Sequence, residues 1–259
     1  MKKSQKITMI IAIVLVIVLI GMFVYGYVRK VTEKVQNPVA TIEVEGFGTI
    51  QLELYPDKAP NTVSNFIALA NKGYYDGTVF HRIISDFMIQ GGDKKADGTG
   101  APTLAEVKEG GSSDTYSIFG EFVANGFQDN DIRHEKGVIS MARSDYSQLG
   151  LYEEGYNSAG AQFFIMTEEN AALNGKYAAF GKMIEGWDVL DKIKSVEVTT
   201  TEESDEQSTP VNPPKMTSVR VETYGINYGE PETQKPFDYQ EWLMEKYGLD
   251  PSVFSQTVE

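Results

Sequence analysis

The sequence predicts a mostly β domain, a closed barrel of short strands capped by two helices, preceded by one transmembrane helix. Three observations carry that prediction. One long run near the amino terminus has no charge, several short segments alternate apolar with polar residues, and two segments repeat apolar residues at helical spacing.

The uncharged run is Ile7–Val28, ITMIIAIVLVIVLIGMFVYGYV. Roughly 20 apolar residues suffice for a helix to cross a hydrocarbon core of about 30 Å. A cleaved secretory signal is the competing reading. The run is longer than a usual signal core and no small-x-small cleavage site follows it, which favours a retained anchor. Lys2, Lys3 and Lys6 precede the span, and Arg29, Lys30 and Lys34 follow it. With the amino-terminal charge added, the balance tips slightly toward an amino terminus left inside, hence a domain outside the cytoplasmic membrane. The expected localisation is therefore the cell membrane, single-pass, with an extracytoplasmic domain. Residues 1–30 read as the anchor and 31–38 as a linker.

Beyond the linker, ATIEVEGFGTIQLELY alternates, with Ile42 and Val44, then Ile50, Leu52 and Leu54, on buried faces of a hairpin turned at Gly46 and Gly48. In APNTVSNFIALANKGYY the period becomes helical through Val63, Phe66, Ile67 and Ala70, with Asn61 expected to cap the start and Gly73 to end it. Strand signals return at Thr78–Ile84, Phe87–Gln90, Gly137–Ala142, Gln162–Thr167 and Ala178–Met183. A second helix follows in EGWDVLDKIKSV, and a last strand in TSVRVETY. Many short strands with two helices suggest a barrel closed on itself and capped at its ends.

Three segments look inserted. Lys94–Ser117 is polar and Gly-rich, Ser144–Ala159 is a long polar-aromatic loop, and Thr199–Lys215 is acidic with prolines, read as a flexible loop. The tail, residues 225–259, holds a short amphipathic helix with Tyr239, Trp242, Leu243 and Tyr247 on one face. Docking on its own barrel and binding a partner are both open to it.

Composition excludes several functions. Residues 1–30 carry five basic and no acidic side chains, so residues 31–259 keep 18 basic against 37 acidic, a net −19. Such a domain is repelled by nucleic acid. There is no cysteine, and His81 and His134 are the only histidines. No His-Glu-x-x-His or Gly-x-Ser-x-Gly pattern is present, so a metal site, a bound cofactor and a hydrolase triad are not expected. What stands out is FHRIISDFMIQGGD, Phe80–Asp93, where Arg82 and Gln90 interrupt an apolar run. A charged side chain is almost never fully buried unless paired, so Arg82 is expected to face a cleft.

Three later stretches belong with it: GVISMARS (137–144), GAQFFIMT (160–167) and LNGKYAAFGKM (173–183). Together the four resemble the cyclophilin family of peptidyl-prolyl cis-trans isomerases, in its motif order and spacing, over about Ala40–Tyr224; residues 39–224 are taken as that domain. The resemblance implies an eight-stranded antiparallel barrel, with Arg82 and Gln90 as catalytic residues. It further implies that Phe87, Met88, Ala142, Arg143, Gln162, Phe164, Leu173 and Tyr177 bind substrate, a proline-containing segment of another protein. Three positions depart from the usual pattern. Arg143 stands where many members have Asn, Tyr177 where many have His, and Ala172 where a Trp is common, which implies weak inhibition by cyclosporin.

These residue types suit the reaction. Rotation about an X-Pro bond faces a barrier of about 18–20 kcal/mol because the nitrogen lone pair is delocalised into the carbonyl. A guanidinium directed at that nitrogen favours its pyramidal form, in which resonance is lost. Apolar side chains would hold the proline ring. The expected function is a tethered isomerase that assists folding of exported proteins; the alternative is a catalytically weak proline-peptide binding module or chaperone.

Overall fold

A computed structural model describes residues 3–32, 36–201, 204–248 and 250. It divides into two compact units, 1–36 and 37–259.

The first unit is the helix α1, Lys3–Thr32. Its described side chains are those of Met9, Ile11 and Ile13–Gly26, all exposed. The transmembrane helix expected over Ile7–Val28 is not found: among the described residues no helix is long and apolar enough to cross a membrane. Of the expected linker, residues 33–35 lie outside the described residues, and α1 already takes in 31 and 32.

In the second unit the strands are β1 (Val39–Val44), β2 (Gly48–Leu54), β3 (Val79–Ile84), β4 (Met88–Asp93), β5 (Val138–Met141), β6 (Phe163–Met166), β7 (Ala179–Glu185), β8 (Val198–Thr201), β9 (Ser204–Pro210) and β10 (Met216–Glu222). Eight of them form one antiparallel sheet in the order β10-β1-β2-β7-β5-β6-β4-β3. The helices are α2 (Pro60–Asn71), α3 (Leu104–Val107), α4 (Tyr152–Tyr156), α5 (Trp187–Ile193) and α6 (Tyr239–Tyr247). Alternation delivers the core: Ala40, Ile42, Ile50, Leu52 and Leu54 are fully buried. They meet Phe66, Tyr75, Phe163 and Phe180, whose rings contact one another at 5.2–5.6 Å between centroids.

The barrel expected to be closed is an open half-barrel. Its margins, β3 and β10, touch at one corner only, the bridge Val79↔Lys215. There Phe80 N donates to Pro214 O at 2.9 Å and Met216 N donates to Thr78 O at 2.8 Å. Pro213 and Pro214 precede β10 and have no N–H to extend the ladder. The rest of β3 is flanked by β9.

That β9 exists is a second correction. The acidic segment Thr199–Lys215 is not a loop: β8 and β9 pair as an antiparallel hairpin, Val198 opposite Pro210 and Thr199 opposite Thr209, with residues 202–203 outside the described residues. Its β-branched Val198, Thr199, Thr200, Thr201 and Thr209 favour a pleated strand, which outweighs the acidic, Pro-containing composition.

The start of α2 is the third. Asn61 does not cap it; Pro60 occupies the first turn and Ala59 the cap position. The free N–H groups are met by the buried carboxylate of Glu121, which accepts from Asn61 N at 3.0 Å, Thr62 N at 2.8 Å and Thr62 Oγ1 at 2.6 Å. A carboxylate suits a helix N-terminus, where unsatisfied N–H groups and the macrodipole coincide. Asn61 instead exchanges hydrogen bonds with the backbone of Glu232 in the tail. Gly73 ends the helix as expected, at φ +76°.

Candidate active site

A break in strand period sets the position of Arg82. The β3–β4 register shifts around Phe80, which lies opposite Gly91, while Arg82 lies opposite Gln90, leaving His81 as an extra residue. In an unbroken strand Phe80 and Arg82 would share a face. The bulge reverses the parity, so Phe80 and Ile83 both enter the core and the side chain of Arg82 remains about one third exposed. On β4, Gly92 permits close packing: its φ is +85°, and an added Cβ would stand 2.8 Å from Ala161 O.

The predicted apolar residues converge. Met88, Phe164, Val138, Met166 and Ala179 form a buried cluster separate from the main core, and Phe87, Ala142, Leu173 and Tyr177 pack around it half-exposed. Phe164 meets Tyr177 edge to face with centroids 5.7 Å apart. The Arg82 guanidinium borders this cluster, with Nη1 3.9 Å from Met88 Sδ.

Gln90 and Gln162 act as a chain. Gln90 Nε2 donates to Gln162 Oε1 at 3.0 Å, and Gln162 Nε2 donates to Gly98 O and Gly100 O at 2.9 and 3.1 Å. This ties the inserted 94–117 segment to the site. Gln90 and Gln162 also line a groove of about 540 Å³ with Ala142, Arg143, Tyr146, Ser158 and Phe237. The second inserted loop thus borders the groove, though through Tyr146 among its large side chains. Tyr156 packs against Phe122, and Tyr152 is exposed. Tyr146 also meets Phe237 and Tyr239 of the tail.

Arg143 does not reach into open solvent. Its guanidinium lies 4.3 Å from the Tyr177 ring centroid and 5.1 Å from that of Tyr156, and Nε donates to Lys176 O at 3.1 Å. Aromatic faces attract such a cation.

Two residues that sequence reasoning passed over stand against the site. His134 is buried and stacked on Phe164 at 6.1 Å; its ring nitrogens lie 3.3 Å from Asn174 Oδ1 and 3.2 Å from Ser140 Oγ. Burial lowers its pKa to about 4, against a smaller opposing effect of Asn174, so the ring is neutral at pH 7. Its sequence neighbours gave no motif. The other is Glu206 on β9, whose carboxylate accepts from Arg82 Nε at 2.8 Å and from Nη2 at 2.9 Å. The ion pair holds the Glu206 carboxyl below its usual range, with burial opposing and a Ser208 hydrogen bond assisting. It lay in the segment read as a loop.

Comparison with known proteins gives the arrangement a lineage. The family model described as "Cyclophilin type peptidyl-prolyl cis-trans isomerase/CLD" matches residues 39–221. The chain is 36% identical over 192 residues to peptidyl-prolyl cis-trans isomerase cyp18 of Streptomyces antibioticus, covering 71% of this chain and 99% of that protein. It is 34% identical over 181 residues to a peptidyl-prolyl cis-trans isomerase of Acinetobacter baylyi, covering 68% and 81%. Among solved structures it resembles a Cryptosporidium parvum cyclophilin type peptidyl-prolyl cis-trans isomerase determined in the presence of the dipeptide Ala-Pro. That likeness has a TM-score of 0.56 at 26% identity, over 71% of this chain and 98% of the other.

Proposed function

This chain belongs to the cyclophilin family and is a peptidyl-prolyl cis-trans isomerase; we propose that Arg82 is its catalytic donor and that Phe87, Met88, Phe164 and Leu173 hold the substrate proline. The observation that carries this reading is the placement of a partly exposed guanidinium beside a separate apolar cluster, Nη1 next to Met88 Sδ. A proline ring buried against that cluster gains roughly 25 cal/mol per Å² of apolar surface removed from water. Its imide nitrogen would then lie within reach of Arg82. The relative studied with Ala-Pro is consistent with such a ligand.

The energetic demand is moderate. Uncatalysed exchange takes tens to hundreds of seconds, so millisecond turnover needs about 6–7 kcal/mol, at 1.36 kcal/mol per decade. A hydrogen bond and charge that act when the nitrogen becomes pyramidal, together with exclusion of water by the apolar wall, supply effects of that kind. No bond is broken, so the reaction calls for no nucleophile. Gln90 and Gln162 would receive the substrate backbone, and the groove edged by Tyr146 would take residues flanking the proline.

For the cellular role, we infer membrane tethering from the amino-terminal sequence alone. The charge-free Ile7–Val28 supports tethering to the cell membrane, and the basic residues around it support an extracytoplasmic domain. In that place the enzyme would serve exported chains as they fold. Catalysis is tested by exchange spectroscopy on a short proline peptide with the purified protein; binding without accelerated exchange would favour the proline-binding module instead. Tethering is tested by adding protease to intact protoplasts. Removal of the domain is expected, and protection until lysis would reverse the orientation.

A further inference from the structure

The inserted hairpin touches Arg82, the cation at the border of the apolar cluster. Glu206 meets the Nε and Nη2 edge of Arg82 side-on, at 2.8 and 2.9 Å, so two parallel hydrogen bonds fix the plane of the guanidinium. The edge left over is that of Nη1, 3.9 Å from Met88 Sδ at the border of the apolar cluster. Gln90, which lies opposite Arg82 in the ladder, is turned away toward Gln162. The steadying group for Arg82 therefore comes from outside the β3–β4 pair.

We propose that Glu206 is a positioning residue for catalysis, holding Arg82 so that Nη1 faces the bound X-Pro bond. This rests on the reading of Arg82 as the catalytic donor. An arginine side chain has several rotatable bonds, and one with a third of its surface exposed has room to move. A two-point clamp removes that freedom before substrate arrives, which lowers the ordering required in the transition state. The clamp leaves the apolar wall untouched, so its effect belongs in kcat rather than in KM.

The test is a double-mutant cycle on the full chain in mild detergent, with exchange spectroscopy on a short proline peptide. Glu206→Ala is expected to lower kcat about five- to tenfold with KM within twofold, and Glu206→Gln, which keeps the size but not the charge, to behave alike. In an Arg82→Ala background, Glu206→Ala should change kcat by less than twofold, because there is nothing left to orient. Thermal melts accompany each variant; Glu206 is about 42% exposed, so its loss should leave them unchanged. Unchanged or faster turnover in Glu206→Ala, or an equal loss in both backgrounds, overturns the proposal. If Arg82→Ala itself retains full activity, the reading of Arg82 fails instead, so the two failures are distinguishable.

Discussion

Lowering the pH from 7.5 to 5 is expected to remove about 2 kcal/mol of stability through one group, His134. Its ring is buried against Phe164 and between Ser140 and Asn174, and burial lowers its pKa from the ordinary 6.5 to about 4. The unfolded chain therefore takes up a proton below about pH 6.5 that the folded chain refuses until about pH 4. The stabilisation is complete above the unfolded value and is lost as pH falls through that window. At pH 5 the interval crossed is about 1.5 pH units, which at 1.36 kcal/mol each gives about 2 kcal/mol. Urea unfolding of the wild type and His134→Gln at both pH values isolates this contribution, since carboxylate titrations are common to the two. The wild type should lose about 2 kcal/mol more than the variant. Equal losses, or an imidazole titration centred near 6.5 by NMR, would refute the reasoning.

Gln162→Ala cuts the link between Gln90 and the carbonyls of Gly98 and Gly100; KM is expected to rise several-fold, with stability lowered by about 0.5–1.5 kcal/mol in a thermal melt. Tyr146→Ala opens the groove edge and should alter selectivity across a panel of peptides varied beside the proline, while leaving the shortest peptide unaffected; a uniform effect would make Tyr146 merely structural. Ala172, exposed in the turn before Leu173, lacks the indole expected there, so Ala172→Trp should tighten cyclosporin inhibition by one to three powers of ten, at about 1.4 kcal/mol per decade. Turnover should shift little.

The sequence made the sheet legible wherever alternation was local. Ile42, Val44, Ile50, Leu52 and Leu54 are buried as their spacing demands, and Val63, Phe66 and Ala70 of α2 likewise. The convergence of Met88, Phe164, Leu173 and Tyr177 was legible only through a resemblance, because it joins strands distant in the chain. What local pattern could not carry was anything depending on a partner far away. The cap of α2 comes from Glu121, some sixty residues on, so a nearby Asn looked sufficient. The bulge at His81 is a matter of register with β4. The hairpin β8–β9 is polar on both strands, and alternation of hydrophobicity gives no signal there. Glu206 was hidden for the same reason, although it touches Arg82.

Action of Arg82 on the X-Pro bond in the transition state is tested most directly by kcat/KM of Arg82→Ala on a short proline peptide, beside a thermal melt and a peptide-binding titration. A fall of at least ten- to a hundredfold, about 1.4–2.7 kcal/mol, is expected, with the melt unchanged and binding weakened far less than turnover. Near-wild-type turnover by the folded variant would contradict it.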